Sequence, residues 1–287
     1  MKVITYKWSL VMFLLIAVMA GCKKEYESIK VEDERNIQEY IQKNGLNMQV
    51  YDTTGIYYQV TKTGTGSPID YTQQLPVVYT VKSLDGAYSS QDTIINHYAN
   101  YFGYYSPASL RDLMKEVLKN QGGSIRIILP SRKAYGRGGN TSLGIPGNAS
   151  LDFTVSILEK SKLPAYEDQM IKKYLGTDLP NYTKSEDGIY YKISEAGTGK
   201  EIRTDSTVTV NYSGSFMNGT VFDSYEGYSS QVDGFINAWK KILPLLKEGG
   251  SVKFVTPSSS AYGLQGSSSI PAFSPLGFDV KVTKVGQ

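Results

Sequence analysis

The sequence predicts an α+β chain made of two copies of one small antiparallel-sheet unit, and three observations carry that prediction. The chain has 287 residues, a soft prior of two domains at roughly 100–200 residues each. Hydrophobic residues are 40% and charged residues 20%, which excludes a disordered or coiled-coil chain. Tyr, at 23, and Gly, at 28, are abundant, as suits antiparallel sheet with aromatic-lined surfaces.

The second observation is an internal repeat. Gly55-Ile56-Tyr57-Tyr58-Gln59-Val60 matches Gly188-Ile189-Tyr190-Tyr191-Lys192-Ile193 at an offset of 133. Gly64-Thr65-Gly66 matches Gly197-Thr198-Gly199, Tyr79 matches Tyr212 and Gly86 matches Gly219 at that same offset. Gly122-Gly123 then pairs with Gly249-Gly250, Ala134-Tyr135-Gly136 with Ala261-Tyr262-Gly263, Ile145-Pro146 with Ile270-Pro271, and Phe153 with Phe278. The order is kept while the offset shrinks through a few deletions, so the chain is a tandem duplication. The third observation is local. Short alternating runs such as Val208-Thr209-Val210-Asn211-Tyr212 and Phe278-Asp279-Val280-Lys281-Val282 read as strands, in the order β-β-β-α-β-β.

Residues 1–21 carry Lys2 and Lys7, then an apolar run from Leu10 to Ala20, the pattern of a secretory signal. The run is shorter than the ~20 apolar residues of a spanning helix. Met19-Ala20-Gly21 precedes Cys22, and small residues before a lone Cys resemble the lipobox of bacterial lipoproteins. That resemblance implies lipidation of Cys22 and a lipid-anchored place in the bacterial cell envelope. By resemblance to the sorting rules of Gram-negative lipoproteins, Lys23 and Lys24, with no Asp beside the Cys, imply the outer membrane rather than the inner. Residues 22–50 are a tether and a helix over 31–44, with Ile37, Tyr40 and Ile41 at helical spacing and Gly45 as its stop. Residues 51–160 form the first unit. Residues 161–183 are a helical linker, with Met170, Ile171 and Tyr174 on 166–175 and Gly176 as its stop. Both helices are expected to act as spacers or to pack on their own unit, with dimerisation as the alternative. Residues 184–287 form the second unit. A helix is expected from Phe235 to Glu248, restricted or kinked by Pro244. Asn218-Gly219 signals a type I′ hairpin turn.

Composition excludes most conventional chemistry. One Cys and one His rule out an intramolecular disulfide and a Cys/His metal cluster, and leave only His97 for any catalytic triad. No metal and no cofactor is expected. Without Lys2 and Lys7 the balance is 28 basic residues against 27 acidic, with no basic block, so nothing argues for nucleic acid.

The second unit resembles the FKBP-type peptidyl-prolyl cis-trans isomerases. The resemblance rests on Val210-Asn211-Tyr212-Ser213-Gly214, Asn218-Gly219-Thr220-Val221-Phe222-Asp223-Ser224 and Phe235-Ile236-Asn237-Ala238-Trp239. Leu246-Lys247-Glu248-Gly249-Gly250, Ala261-Tyr262-Gly263, Ile270-Pro271 and Phe278-Asp279-Val280 follow in order. It covers 184–285 and, with fewer matches, 51–160. It implies two tandem units, each an antiparallel half-barrel sheet wrapped on one central helix, with an aromatic pocket between. Tyr212, Phe222, Trp239 and Phe278 would wall and floor that pocket, with Phe235, Ile236 and Ile270 in contact with substrate. Tyr262 would offer its hydroxyl to a substrate carbonyl, and Asp223 would line the rim. Tyr228 is a further wall position. The implied catalytic set is Tyr212, Phe222, Asp223 and Tyr262. The implied partners are proline-containing polypeptide clients, exported proteins whose folding the chain would assist.

Such chemistry suits a chain without nucleophile or metal. Rotation about an X–Pro amide is opposed by ~20 kcal/mol of C–N double-bond character. A dry apolar pocket disfavours the charge-separated planar form and favours the twisted, less dipolar transition state. Two departures matter. In the second unit the flap between Tyr262 and Ile270 is one residue shorter than the usual form, with Ser269 before Ile-Pro. In the first unit Tyr79, Tyr135, Ile145 and Phe153 are kept, but Tyr88-Ser89 or Ser89-Ser90 replaces the Phe-Asp pair and no Trp is present. Asp112 or a neighbour falls where the pocket floor should be. The aromatic stretch 96–105 is either an exposed binding loop or a rearranged core cover, and His97 reads as a loop surface residue. The first unit is therefore expected to be degenerate, with activity mainly in the second. The alternative is a non-catalytic peptide-binding or chaperone lipoprotein that uses FKBP-like folds.

Overall fold

The computed structural model describes residues 27–286, so the signal segment 1–21 and Cys22 lie outside the described residues. The first sheet comprises β1 (Gln49–Tyr51), β2 (Ile56–Lys62), β3 (Val77–Ser83), β4 (Ser89–Ser90), β5 (His97–Tyr98), β6 (Ser124–Leu129) and β7 (Leu151–Ile157). Its order is β1-β2-β6-β7-β3-β4, with β5 also on β3. The second comprises β8 (Thr183–Lys184), β9 (Tyr190–Glu195), β10 (Thr207–Phe216), β11 (Val221–Gln231), β12 (Ser251–Thr256) and β13 (Leu276–Gly286). Read from its β8 edge, the order is β8-β9-β12-β13-β10-β11, which corresponds strand for strand to the first. Every pairing is antiparallel. The expected β-β-β-α-β-β pattern misses only short strands: β8 at the start of the second unit, and β1 with β5 in the first.

One helix packs on each sheet. In the first unit it is α2 (Ala108–Leu118), which buries Leu110, Leu113 and Met114 against Ile125, Ile127, Phe153 and Val155. Each such side chain taken from water contributes about 1.5–3 kcal/mol. Its counterpart in the second unit (Asn237–Ile242) buries Trp239 and Ile242 against Val208, Val252, Phe254 and Val280. This second helix is far shorter than the Phe235–Glu248 expectation. Phe235 and Ile236 are extended, and at the other end Leu243-Pro244-Leu245 tightens into a 3₁₀ turn. Pro244 has no N–H to continue the α ladder.

The two lead-in helices form as expected, with shifted starts. The first, α1, is Ile29–Lys43, and the other, α3, is Leu163–Leu175. The latter begins before 166 because Pro164 sits in its first turn, where a missing N–H costs nothing. Gly45 and Gly176 both take positive φ at the helix ends, at 59° and 50°. With α1–α3 placed, the six-residue helix at Trp239 is α4. Through Ile37, α1 packs on Tyr57 and Ile128 of its own sheet. Ile171 and Leu175 of α3 pack on Tyr190, Met217 and Val255 of the second unit.

Each lead-in helix is also docked by a buried carboxylate, a device the sequence did not reveal. Asp33 of α1 accepts hydrogen bonds from the Ser131 N–H at 3.2 Å and the Ser150 hydroxyl at 3.0 Å, and pairs with Arg132 at 3.1 Å. Glu167 of α3 accepts from the Ser258 N–H at 2.8 Å and its hydroxyl at 2.6 Å. Ser131 and Ser258 each open a 3₁₀ turn after a proline, so the anchor repeats with the fold.

The β10–β11 turn is not type I′. Gly219 has φ of 84°, but Asn218 is not in the positive-φ region, and the Gly219 N–H donates to the Phe216 carbonyl. A type I′ turn needs positive φ at both central residues. No helix among the described residues is long and apolar enough to cross a membrane.

Candidate functional site

The second unit gathers its aromatic residues at the meeting of β10, β11, β13 and α4. Side chains two apart on a strand share a face, so Tyr212 and Gly214 of β10 point the same way. Gly214 lies opposite Phe278 on β13 and Asp223 on β11. A Cβ at 214 would meet Phe222 Cζ at 2.7 Å and Phe278 Cε1 at 3.0 Å. Only glycine there lets those rings approach, and their centroids lie 6.0 Å apart, edge to face.

Trp239 is the centre of the group and is 3% exposed. Its ring centroid is 5.4 Å from Tyr212 and 5.4 Å from Phe278, both edge-on. Phe235 stacks on it at 4.7 Å. Edge-to-face and offset pairs of this kind contribute about 0.5–1.5 kcal/mol each beyond burial. Tyr228 joins the group, 6.0 Å from both Tyr212 and Phe235. Ile236 caps α4 and packs partly buried against the group. Ile270 is buried in the same cluster as Trp239 and Phe278.

The rim is polar. Tyr212 donates from its hydroxyl to Asp223 Oδ2 at 2.6 Å. Burial, with that carboxylate bond and charge, holds the Tyr212 hydroxyl well above the ordinary tyrosine range. Tyr262, on the loop after β12, is 39% exposed. Its hydroxyl is also pushed up, by burial first and then by the nearby Asp223 and Tyr228. The residues predicted to form one pocket are thus brought together, with Tyr262 at the edge that Asp223 occupies.

Sequence reasoning missed Phe254 and Phe216. Phe254 is fully buried, 6.0 Å from Trp239 and 5.1 Å from Phe278, and backs the whole group. The alternation Val252-Lys253-Phe254 carried that signal. Phe216 supports Phe222 from 5.0 Å.

The first unit is built differently. Val81 lies opposite Phe153 and Ser90, so Val81 stands where Gly214 does and Ser89-Ser90 stands where Phe222-Asp223 does. That settles the gap between the two alignments considered above. Leu110 holds the third helix position, as Trp239 does on α4. Asp112 is not a pocket floor. Its side chain is 44% exposed, pairs with Arg111 at 2.8 Å and accepts from the Tyr71 hydroxyl at 2.8 Å. The stretch 96–105 is a core cover. Phe102 and Tyr105 are buried, and the Tyr105 ring meets Tyr79 at 6.3 Å and Tyr98 at 4.9 Å. Only Tyr101 and Tyr104 of its aromatic rings are exposed. His97 is not a surface residue either; its ring packs against Phe273 of the second unit at 4.1 Å.

Comparison with known proteins falls on the same unit. Residues 199–283 match the family model "FKBP-type peptidyl-prolyl cis-trans isomerase". The chain is similar to a probable FKBP-type peptidyl-prolyl cis-trans isomerase of Haemophilus influenzae, 42% identical over 106 residues, covering 35% of this chain and 44% of that protein. It is similar to the FKBP-type isomerase FkpA of Escherichia coli, 41% identical over 105 residues, covering 35% of this chain and 39% of that protein. The similarity thus spans less than half the length of these curated relatives. Among solved structures, FkpA from Escherichia coli aligns at 33% identity with a TM-score of 0.40, covering 44% of this chain and 60% of that one. Through residues 199–283 of its C-terminal unit, the chain is similar to the FKBP-type peptidyl-prolyl cis-trans isomerases.

Proposed function

We propose that the C-terminal unit is a working prolyl isomerase and that the ring group around Trp239 is its pocket. The observation that carries this reading is one continuous set of contacts linking Tyr212, Phe222, Phe235, Trp239 and Phe278, with Tyr212–Asp223 at the rim. In this reading Trp239 is the floor for a proline ring, and Phe278 and Tyr212 are its walls. Phe235, Ile236 and Ile270 contact the residues flanking the proline. Excluding water from the X–Pro amide removes the solvation that favours its dipolar planar form. Tyr262 is the donor for the carbonyl as it turns. Asp223 fixes the Tyr212 hydroxyl and supplies a fixed dipole at the rim.

In the same proposal both units are FKBP-like half-barrels in tandem, and the first has lost its pocket. Val81 fills the room left open at Gly214, and Tyr105 occupies the space against Tyr79. The non-catalytic reading fits the first unit, whose exposed Tyr101 and Tyr104 offer surface for holding clients. The lipobox-like Met19-Ala20-Gly21-Cys22 supports a lipid anchor in the bacterial envelope, on the outer membrane, where exported proline-containing proteins would be the clients.

The test is a proline cis-trans isomerisation assay of the full chain on several X–Pro peptides, beside Tyr262→Phe and Trp239→Ala, with circular dichroism to confirm folding. Catalysis lowered about tenfold or more in Trp239→Ala, and less in Tyr262→Phe, supports the assignment. A folded wild-type chain that accelerates none of the peptides overturns it in favour of peptide holding.

A further inference from the structure

One segment of the first unit crosses to the second. In the second unit, β11 runs on past the Phe222-Asp223 position to Gln231. In the first, β4 stops at Ser90, residues 91–96 bow out from that edge, and β5 rejoins β3 at His97–Tyr98. Asp92 Oδ2 accepts from Asn218 Nδ2 at 2.5 Å, at the β10–β11 turn. Ile94 packs with the second unit's core. His97 then reaches the flap. Its Nδ1 lies 2.9 Å from the Ala272 carbonyl, and its ring stacks on Phe273 with an interplanar angle of 10°. Val78 and Ala99 of the first unit and Leu163 and Tyr166 of α3 close around the same Phe273.

The tautomer follows from the geometry. A carbonyl oxygen only accepts, so Nδ1 carries the proton and Nε2 is the bare nitrogen. Nε2 is enclosed, without a hydrogen-bond partner.

Phe273 is fully buried and has φ of +40°. A bulky residue in that region persists only where its surroundings hold it there. Its N–H donates to the Gly263 carbonyl at 2.9 Å, next to Tyr262, and Ile270 lies three residues before it. The contact therefore leads from the first unit, through Phe273, to the two flap residues that face the pocket.

We propose that residues 91–99 of the first unit are a strap that positions the 262–273 flap of the second unit's pocket, with His97 as the positioning residue. The proposal rests on the isomerase reading above. It gives the first unit, whose own pocket is filled, a part in the second unit's work.

The test compares the full wild-type chain with His97→Ala and His97→Asn, the second keeping a donor where Nδ1 stood. Amide hydrogen exchange reads the flap, and peptide isomerisation, split into kcat and KM, reads the site. In His97→Ala, exchange at 262–273 is expected to quicken about tenfold, and kcat/KM to fall about fivefold, mainly through KM. His97→Asn should recover most of both. Unchanged flap exchange in a folded His97→Ala chain overturns the proposal. So does faster exchange with kcat/KM intact, which leaves the strap a structural contact only. A wild-type chain that catalyses nothing overturns the isomerase reading and this proposal together. That outcome is told apart from failure of the strap alone, where the wild type is active and His97→Ala equals it.

Discussion

Gly214 shows how much of the site hangs on single atoms. Phe222 and Phe278 approach each other across it, and a methyl there would sit 2.7 Å from Phe222 Cζ. Gly214→Ala is expected to push one ring off its rotamer and to destabilise the second unit by about 1–3 kcal/mol, read as a lower urea midpoint. Tyr212→Phe keeps the ring and removes the bond to Asp223. It should cost about 1 kcal/mol and leave Trp239 emission nearly unchanged. His97 carries a pH dependence of its own. Burial pulls it from its ordinary 6.5 to about 4, against the raising effect of the Ala272 and Thr93 backbone and of Asp92. Above 6.5 neither state holds the proton. Between 6.5 and about 4 the unfolded state binds more protons than the folded one, so stability is lost as pH falls. The slope approaches 1.4 kcal/mol per pH unit at most. Urea melts at pH 7 and pH 5 should show the wild type losing about 2 kcal/mol more than His97→Asn.

Among the elements, the lead-in helices are held by polar anchors as well as by apolar faces. Glu167 sits buried on Ser258, and burial raises its carboxyl above the ordinary range in spite of the two bonds that lower it. Glu167→Ala leaves the Ser258 N–H buried and unpaired and should cost about 1–3 kcal/mol in a denaturant melt, while Glu167→Gln keeps most of the stability. Element existence was legible wherever a period was strong. Val208–Tyr212 and Phe278–Val282 lie within β10 and β13, and both lead-in helices form. The extent of α4 was not. The apolar run from Phe235 to Leu246 reads as helix, but Phe235 and Ile236 extend to meet Tyr228 and Trp239, and Pro244 ends the α ladder. Asn218-Gly219 signals type I′ in the sequence because local residue preference does not distinguish that turn from a type I turn followed by a positive-φ glycine. The carboxylate anchors were hidden because Asp33 and Glu167 look like ordinary helix-surface acids until the Ser131 and Ser258 turns close on them.

For the molecule as a whole, the repeat made the two sheets readable, and the divergence between copies hid how they meet. His97 falls in a stretch of the first unit without a counterpart in the second, so no comparison of the copies assigns it a partner. Its partner, Phe273, is 176 residues away in the chain. The aromatic residues of the second unit, by contrast, were legible together because each sits on an element whose spacing the sequence states. With the strap intact, the units should unfold in one calorimetric transition near neutral pH. His97→Ala should separate it into two, since the contact that couples them is weakened. The proposed isomerase stands on the pocket at Trp239 receiving the proline. The measurement that meets it most directly is a nuclear magnetic resonance titration of the full chain with an X–Pro peptide. The Trp239 indole N–H and the Tyr212 and Tyr262 signals are expected to shift while cis–trans exchange peaks of the peptide appear. Exchange peaks with shifts confined to the first unit around Tyr79 and Tyr105, or shifts at Trp239 without any catalysed exchange, would contradict it.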